Sequence, residues 1–214
     1  MSDAPSDARA ATPVGDALGL LETSSIAAGV RVADEVLKAA PVELLEAVPV
    51  SPGKFLVIFA GGVSEVEAAL AAGKRFTGET LLDELFLPRV HPRVGPAISR
   101  REPPSSDGEA IGIVEMLSVA AAIVGADAAA KTAAVTLLEI APGRGIGGKG
   151  FFTMTGDVAS VEAAAAAARA IAEARGMHLR TEILAGPHPV LAGRVAGRLL
   201  RRPSLERFPG EEPA

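Results

Sequence analysis

Apolar residues come in two rhythms along this chain, and the two alternate. Residues 17–22, 42–50, 54–60 and 81–87 are short, dense apolar runs that read as strands. Between them, Ile26, Val30, Ala33 and Leu37 fall at helical spacing, behind Ser24 or Ser25 as an N-cap. A second helix is predicted from Val63 towards Lys74–Phe76, and a tight turn at Ser51-Pro52-Gly53 joins the second and third strands.

The same order then recurs. Ala17-Leu-Gly-Leu-Leu-Glu22 returns as Ala110-Ile-Gly-Ile-Val-Glu115, and Ala33, Asp34 and Lys38 return as Ala126, Asp127 and Lys131. Val119, Ile123, Ala126 and Ala130 repeat the helical spacing of the first copy. Beyond a two-residue insertion, Gly53, Lys54 and Gly61 match Gly148, Lys149 and Gly156, and Val63, Val66 and Glu67 match Val158, Val161 and Glu162. Strands are predicted near 135–141, 149–155 and 178–184, with a helix over 158–175 capped by Asp157. Ordered matches in register indicate duplication of a small domain. The expectation is an α+β fold of two tandem βαββαβ domains, ferredoxin-like in type, each a sheet with helices on one face. The copies are bounded as 17–98 and 110–193. A polar, Pro/Ser-rich linker spans 99–109, a disordered tail 1–16, and a basic tail 194–214 that includes Arg198, Arg201 and Arg202.

Composition narrows the chemistry. The chain has 214 residues, a net charge of −5, and no Cys, Trp or Tyr. Mild acidity and the lack of Trp and Tyr stacking platforms argue against a nucleic-acid partner. Without cysteine there is no disulfide, thiolate nucleophile or cysteine metal site. The histidines, His91, His178 and His188, are far apart in sequence, so no metal or other cofactor is expected. No secretory signal and no membrane-length apolar run is seen, so a soluble, cytoplasmic protein is expected.

Gly143-Arg-Gly-Ile-Gly-Gly-Lys-Gly150 imitates two nucleotide motifs. Both need a helix directly after the loop to hold phosphate, whereas Phe151-Phe-Thr-Met-Thr155 reads as a strand, and Gly150 stands where a Walker loop needs Ser or Thr. A glycine-rich hairpin turn, matching Ser51-Pro52-Gly53-Lys54 in the first copy, explains it better. Glu22 and Glu115 recur at the end of the first strand of each copy, which favours a structural role over acid–base work. No catalytic residues are assigned. A small-molecule-binding regulator and an enzyme using Glu or His remain as alternatives.

With these motifs in order in both copies, residues 17–191 resemble the tandem-domain shell proteins of bacterial microcompartments, most closely the propanediol-utilisation type. The resemblance rests on Leu18-Gly-Leu-Leu-Glu22, Ala33-Asp34 with Lys38-Ala39-Ala40, Pro52-Gly53-Lys54-Phe55-Leu56, their second-copy counterparts, Leu82 to Pro88, and Pro187-His188. It implies a homotrimer forming a pseudohexagonal tile that assembles with hexameric and pentameric shell proteins in a cytoplasmic microcompartment. Small polar metabolites would cross a central pore. On this resemblance Ser51, Pro52, Gly53, Ile146, Gly147 and Gly148 line the pore; the two-residue insertion around Pro142-Gly143-Arg144 departs from it and is expected to put Arg144 near one mouth. Lys38, Lys131, Arg89 and His188 lie at the tile edge. The propanediol type carries a cluster-binding cysteine where this chain has Ser51, so a cluster-free, hydroxyl-lined pore is expected.

Overall fold

The computed structural model describes residues 15–99, 108–143, 145–197 and 199. The expected N-terminal tail (apart from Gly15 and Asp16), most of the linker, Arg144, and Arg198, Arg201 and Arg202 of the basic tail lie outside them.

In the first copy, β1 (Ala17–Thr23), α1 (Ile26–Ala39), β2 (Glu43–Val50), β3 (Lys54–Gly61), α2 (Val63–Lys74) and β4 (Leu81–Pro88) follow in the predicted order. The second copy repeats it as β5 (Ala110–Met116), α4 (Val119–Thr132), β6 (Thr136–Ala141), β7 (Gly150–Gly156), α5 (Val158–Ala174) and β8 (His178–Ala185). Two short helices were not predicted: α3 (Val94–Ser99) and α6 (Pro189–Ala196), one after the last strand of each copy. Helix α6 runs three residues into the stretch read as tail. Each sheet is antiparallel, in the orders β2-β3-β1-β4 and β6-β7-β5-β8.

The central strand β1 is buried along its whole length, because side chains alternate between two covered faces. Leu18 and Leu20 join Val94, Ala97 and Ile98 of α3 on one side. Ala17 and Leu21 join Val32 and Val36 of α1 and Val66 and Ala69 of α2 on the other. In the second copy, α6 takes the place of α3: its Val195 packs with Ile111 and Leu138. The Ser25 and Asp157 caps match expectation, and Ser118 caps α4 in the same way. Ser25 and Ser118 accept from the main-chain N–H of Ala28 and Ala121. The Asp157 carboxylate accepts from the main chain and hydroxyl of Ser160 at 2.8 and 2.7 Å, which holds its pKa below the usual range.

The stripe Ile26, Val30, Ala33 and Leu37 does share one face of α1, but that face is mostly exposed. Only Ala33 is buried, and the core face is Gly29, Val32, Ala33 and Val36. The equivalent helix α4 also buries Val119, Ala120, Ala121, Ile123 and Asp127. Amphipathic spacing marks a face that wants cover without saying whether the cover is the same domain.

The two copies pack directly on each other. Helix α3 lies across both β2 and β6, and α4 meets β4 and α3 of the first copy. The main hydrophobic cluster runs without a break from Leu18 and Ile98 to Ile123 and Phe152.

Candidate functional site: two turns and a seam

The β2–β3 and β6–β7 turns, singled out from the sequence, come together. The peptide between Ser51 and Pro52 is cis, and Gly53 follows at φ +70°. Gly148, at φ +81°, lies against the first-copy turn: a Cβ there would stand 3.2 Å from the Ser51 carbonyl oxygen and 3.4 Å from Lys54 Nζ. Only glycine combines that left-handed backbone with so close an approach. Pro52, Gly53, Gly145 and Gly147 are exposed, Ser51 and Ile146 half-buried and Gly148 buried. The loop Pro142–Lys149 feeds straight into β7, not into a helix. It therefore lacks the helix N-terminus on which both nucleotide motifs depend.

At the base of each turn stands a repeated Glu–Lys pair. Lys54 Nζ is 2.8 Å from Oε1 of the buried Glu22, whereas Lys149 Nζ is 3.8 Å from Oε2 of a half-exposed Glu115. The first is a tight pair at the root of the turn; the second is loose and solvated. Each carboxylate is thus paired with the lysine at the foot of its turn.

A second constellation escaped the sequence reading. At the seam between copies, the main-chain N–H of His91 donates to Asp127 Oδ1 at 2.7 Å, and Lys131 Nζ lies 2.6 Å from Asp127 Oδ2. The Arg93 guanidinium donates to Thr136 Oγ1 at 3.2 Å. His91 Nδ1 accepts from the Arg93 main chain at 3.3 Å, and His188 Nδ1 accepts from the Val190 main chain at the same distance. Burial pushes the His91 pKa down, Asp127 opposes this, and Arg93 and Lys131 add to it. In the first copy Lys38 pairs with Asp34 one helical turn away, on an exposed surface. Arg89 follows β4 with a positive φ of 53°. Lys38 and Lys131 lie in the last turns of α1 and α4, Arg89 directly follows β4, and His188 is the N-cap of α6.

Two buried acids were also missed. Glu46 and Glu139 sit at matching positions, each after a register shift in its strand, and Glu139 Oε2 accepts from the Leu199 main chain at 2.9 Å. The signal was available: both interrupt an apolar strand at the offset of the first repeat.

The chemistry left for a cofactor is thin. The chain holds no cysteine, so Ser51 and its turn supply no thiolate for an iron–sulfur cluster. Among the described residues, no three of His, Asp and Glu gather as a metal site would require. A recess of about 360 Å³ is lined by Gly108, Glu109, Ala134, Thr136, Thr155, Gly156 and Asp157. Its Asp157 is already spent on capping α5, and no large apolar side chain lines it. Among the described residues, no helix is long and apolar enough to cross a membrane.

Comparison with known proteins gives a consistent picture. The model of the BMC domain matches twice, at residues 17–90 and 110–187. The bacterial microcompartment shell protein PduT of Citrobacter freundii is 40% identical over 175 residues, 82% of this chain and 95% of that protein. The carboxysome shell protein CcmK2 of Thermosynechococcus vestitus is 39% identical over 79 residues, 35% of this chain and 78% of its own length. The crystal structure of a microcompartments protein from Desulfitobacterium hafniense superposes with a TM-score of 0.79 at 48% identity, covering 82% of this chain and 97% of that one.

Proposed function

The chain belongs to the BMC-domain family of bacterial microcompartment shell proteins, and from that premise we propose that three copies close into a pseudohexagonal tile around a central pore. It is a structural shell protein, not an enzyme, and it assembles with other shell proteins. The observation that carries the tile is the meeting of the two turns: Gly148 packs against the Ser51 carbonyl, so each chain brings two hairpin tips to one corner. Three such corners around one axis make a ring of six tips.

In this reading Ser51, Pro52, Gly53, Ile146, Gly147 and Gly148 line the pore, with Arg144 at one mouth. Hydroxyls and main-chain groups at the constriction suit small polar metabolites, whose lost hydration they replace in part. Ser51 makes the pore cluster-free, because a hydroxyl is a poor substitute for a thiolate. Lys38, Lys131, Arg89 and His188 lie at the outer edge, where tiles meet each other and the hexameric and pentameric shell proteins. This places the protein in the shell of a cytoplasmic microcompartment.

Electron microscopy of the purified protein tests the tile. Six-lobed particles of three-fold symmetry, with a central depression, are expected. Elongated two-lobed particles would refute the tile.

A further inference from the structure

His91 and His188 do the same local job in the two copies. The Arg93 main-chain N–H donates to His91 Nδ1, and the Val190 main-chain N–H to His188 Nδ1, each at the start of a short helix. A main-chain N–H can only donate. His91 Nδ1 therefore offers its lone pair, and the neutral ring carries its proton on Nε2.

The two caps differ in setting. His188 is exposed, and α6 follows it at the far end of copy two. His91 is half-buried and leads into α3, the helix that joins the copies. Helix α3 packs across β2 and β6 and against α4, with Val94, Ala97 and Ile98 buried in the shared core. Hydrogen bonds tie the His91 end to copy two. Its main-chain N–H donates to Asp127 Oδ1 at 2.7 Å, and the Arg93 guanidinium donates to Thr136 Oγ1 at 3.2 Å. The charged groups acting on the ring are Asp127 and Lys131 of α4 and Arg93 beside it. Asp127 is already paired with Lys131 at 2.6 Å. Towards β1 the residue shares a small recess with Gly15, Leu18, Ala60 and Gly95, none of them charged.

We infer that His91 is a proton-operated latch on the seam between the two domains. A proton taken up at Nδ1 turns the acceptor into a donor that faces the Arg93 N–H. The cap on α3 is lost, and a further positive charge stands beside Arg93 and Lys131. Helix α3 then loosens from β6 and α4 while both sheets stay formed. Burial holds the ring below its ordinary pKa of about 6.5. The latch is therefore closed above 6.5 and releases as pH falls towards the lowered value. In the tile proposed above the joint occurs three times, so acid would soften each tile from within. That consequence rests on the tile, whereas the latch is a property of one chain.

Hydrogen–deuterium exchange of the full chain at pH 7.5 and 5.5, corrected for intrinsic rates, tests it. Amides of α3 are expected to exchange about fivefold faster at pH 5.5, the usual worth of a helix cap, with α5 unchanged as the control. His91→Asn keeps an acceptor without titrating and should abolish the difference. His91→Lys carries a charge and no acceptor, and α3 should exchange fast at both pH values. Far-UV circular dichroism confirms that each variant is folded, and His91→Asn alone decides if His91→Lys is not. Unchanged α3 exchange in wild type would overturn the inference. So would the same acid response in His91→Asn, a folded His91→Lys that stays protected at pH 7.5, or an acceleration shared equally by α5. A monomeric wild-type mass at pH 7.5 would overturn the tile and leave the latch standing.

Discussion

Gly148 combines a φ of +81° with the Ser51 carbonyl 3.2 Å from where a Cβ would stand. Gly148→Ala is therefore expected to cost about 1–2 kcal/mol for the left-handed backbone alone, measured as a lower urea midpoint. Gly147, with φ +70° and open space around it, should show the backbone cost without the contact. The two Glu–Lys pairs give a second contrast. Lys54→Met leaves Glu22 buried and unpaired, and should cost about 3 kcal/mol, the low end for a broken buried pair because Lys54 reaches solvent. Lys149→Met breaks a solvated contact of 3.8 Å and should change stability by less than ~0.5 kcal/mol. At this scale the sequence spoke clearly where a residue type is restrictive. The glycines and prolines of the turns and the serine and aspartate caps were all legible. The partners of Asp127 and Glu139 were not, because a hydrogen bond from a main chain 36 or 60 residues away leaves no trace in local spacing.

At the scale of elements, the strands and the four long helices follow from period and capping, and the copies confirm each other. Helices α3 and α6 were lost because Pro92, Pro96 and Pro189 make their segments read as loop, whereas a proline in the first turn of a helix costs little. The stripe Ile26, Val30, Ala33 and Leu37 was legible as one apolar face of α1, but what covers it was not, because apolar spacing is the same for a core and for a protein partner. The seam that α3 forms with α4 predicts a pH effect. His91 is held below its ordinary pKa of about 6.5, chiefly by burial. The unfolded chain then binds more protons as pH falls through 6.5, so stability rises with pH in that range. The contribution is intact above 6.5 and is lost as pH falls towards the lowered folded value. Urea midpoints at pH 7.5 and 5.5 should separate further for wild type than for His91→Asn, in which an amide caps α3 without titrating. An equal separation in both would remove His91 from the account.

For the whole molecule, duplication is the feature that the sequence displayed best and that the structure uses most. One chain contains one complete domain–domain seam and the two unmatched halves of another. A monomer would leave Ile26, Val30 and Leu37 on α1, and Val190 and Leu191 on α6, in water. The proposed ring would bury both halves and gather the turns on its axis. The assembled form is thus where the repeated turns, the bare stripe and the α6 surface acquire a common purpose. The sequence alone could reach it only through resemblance, since ring closure is a property of surfaces and not of any one segment.

The mass of the wild-type protein in solution, measured by light scattering across a range of concentrations, tests this most directly. Three chains of 21.7 kDa give about 65 kDa, and that mass should persist on dilution. A particle of 21.7 kDa at every concentration would contradict the tile and the pore together.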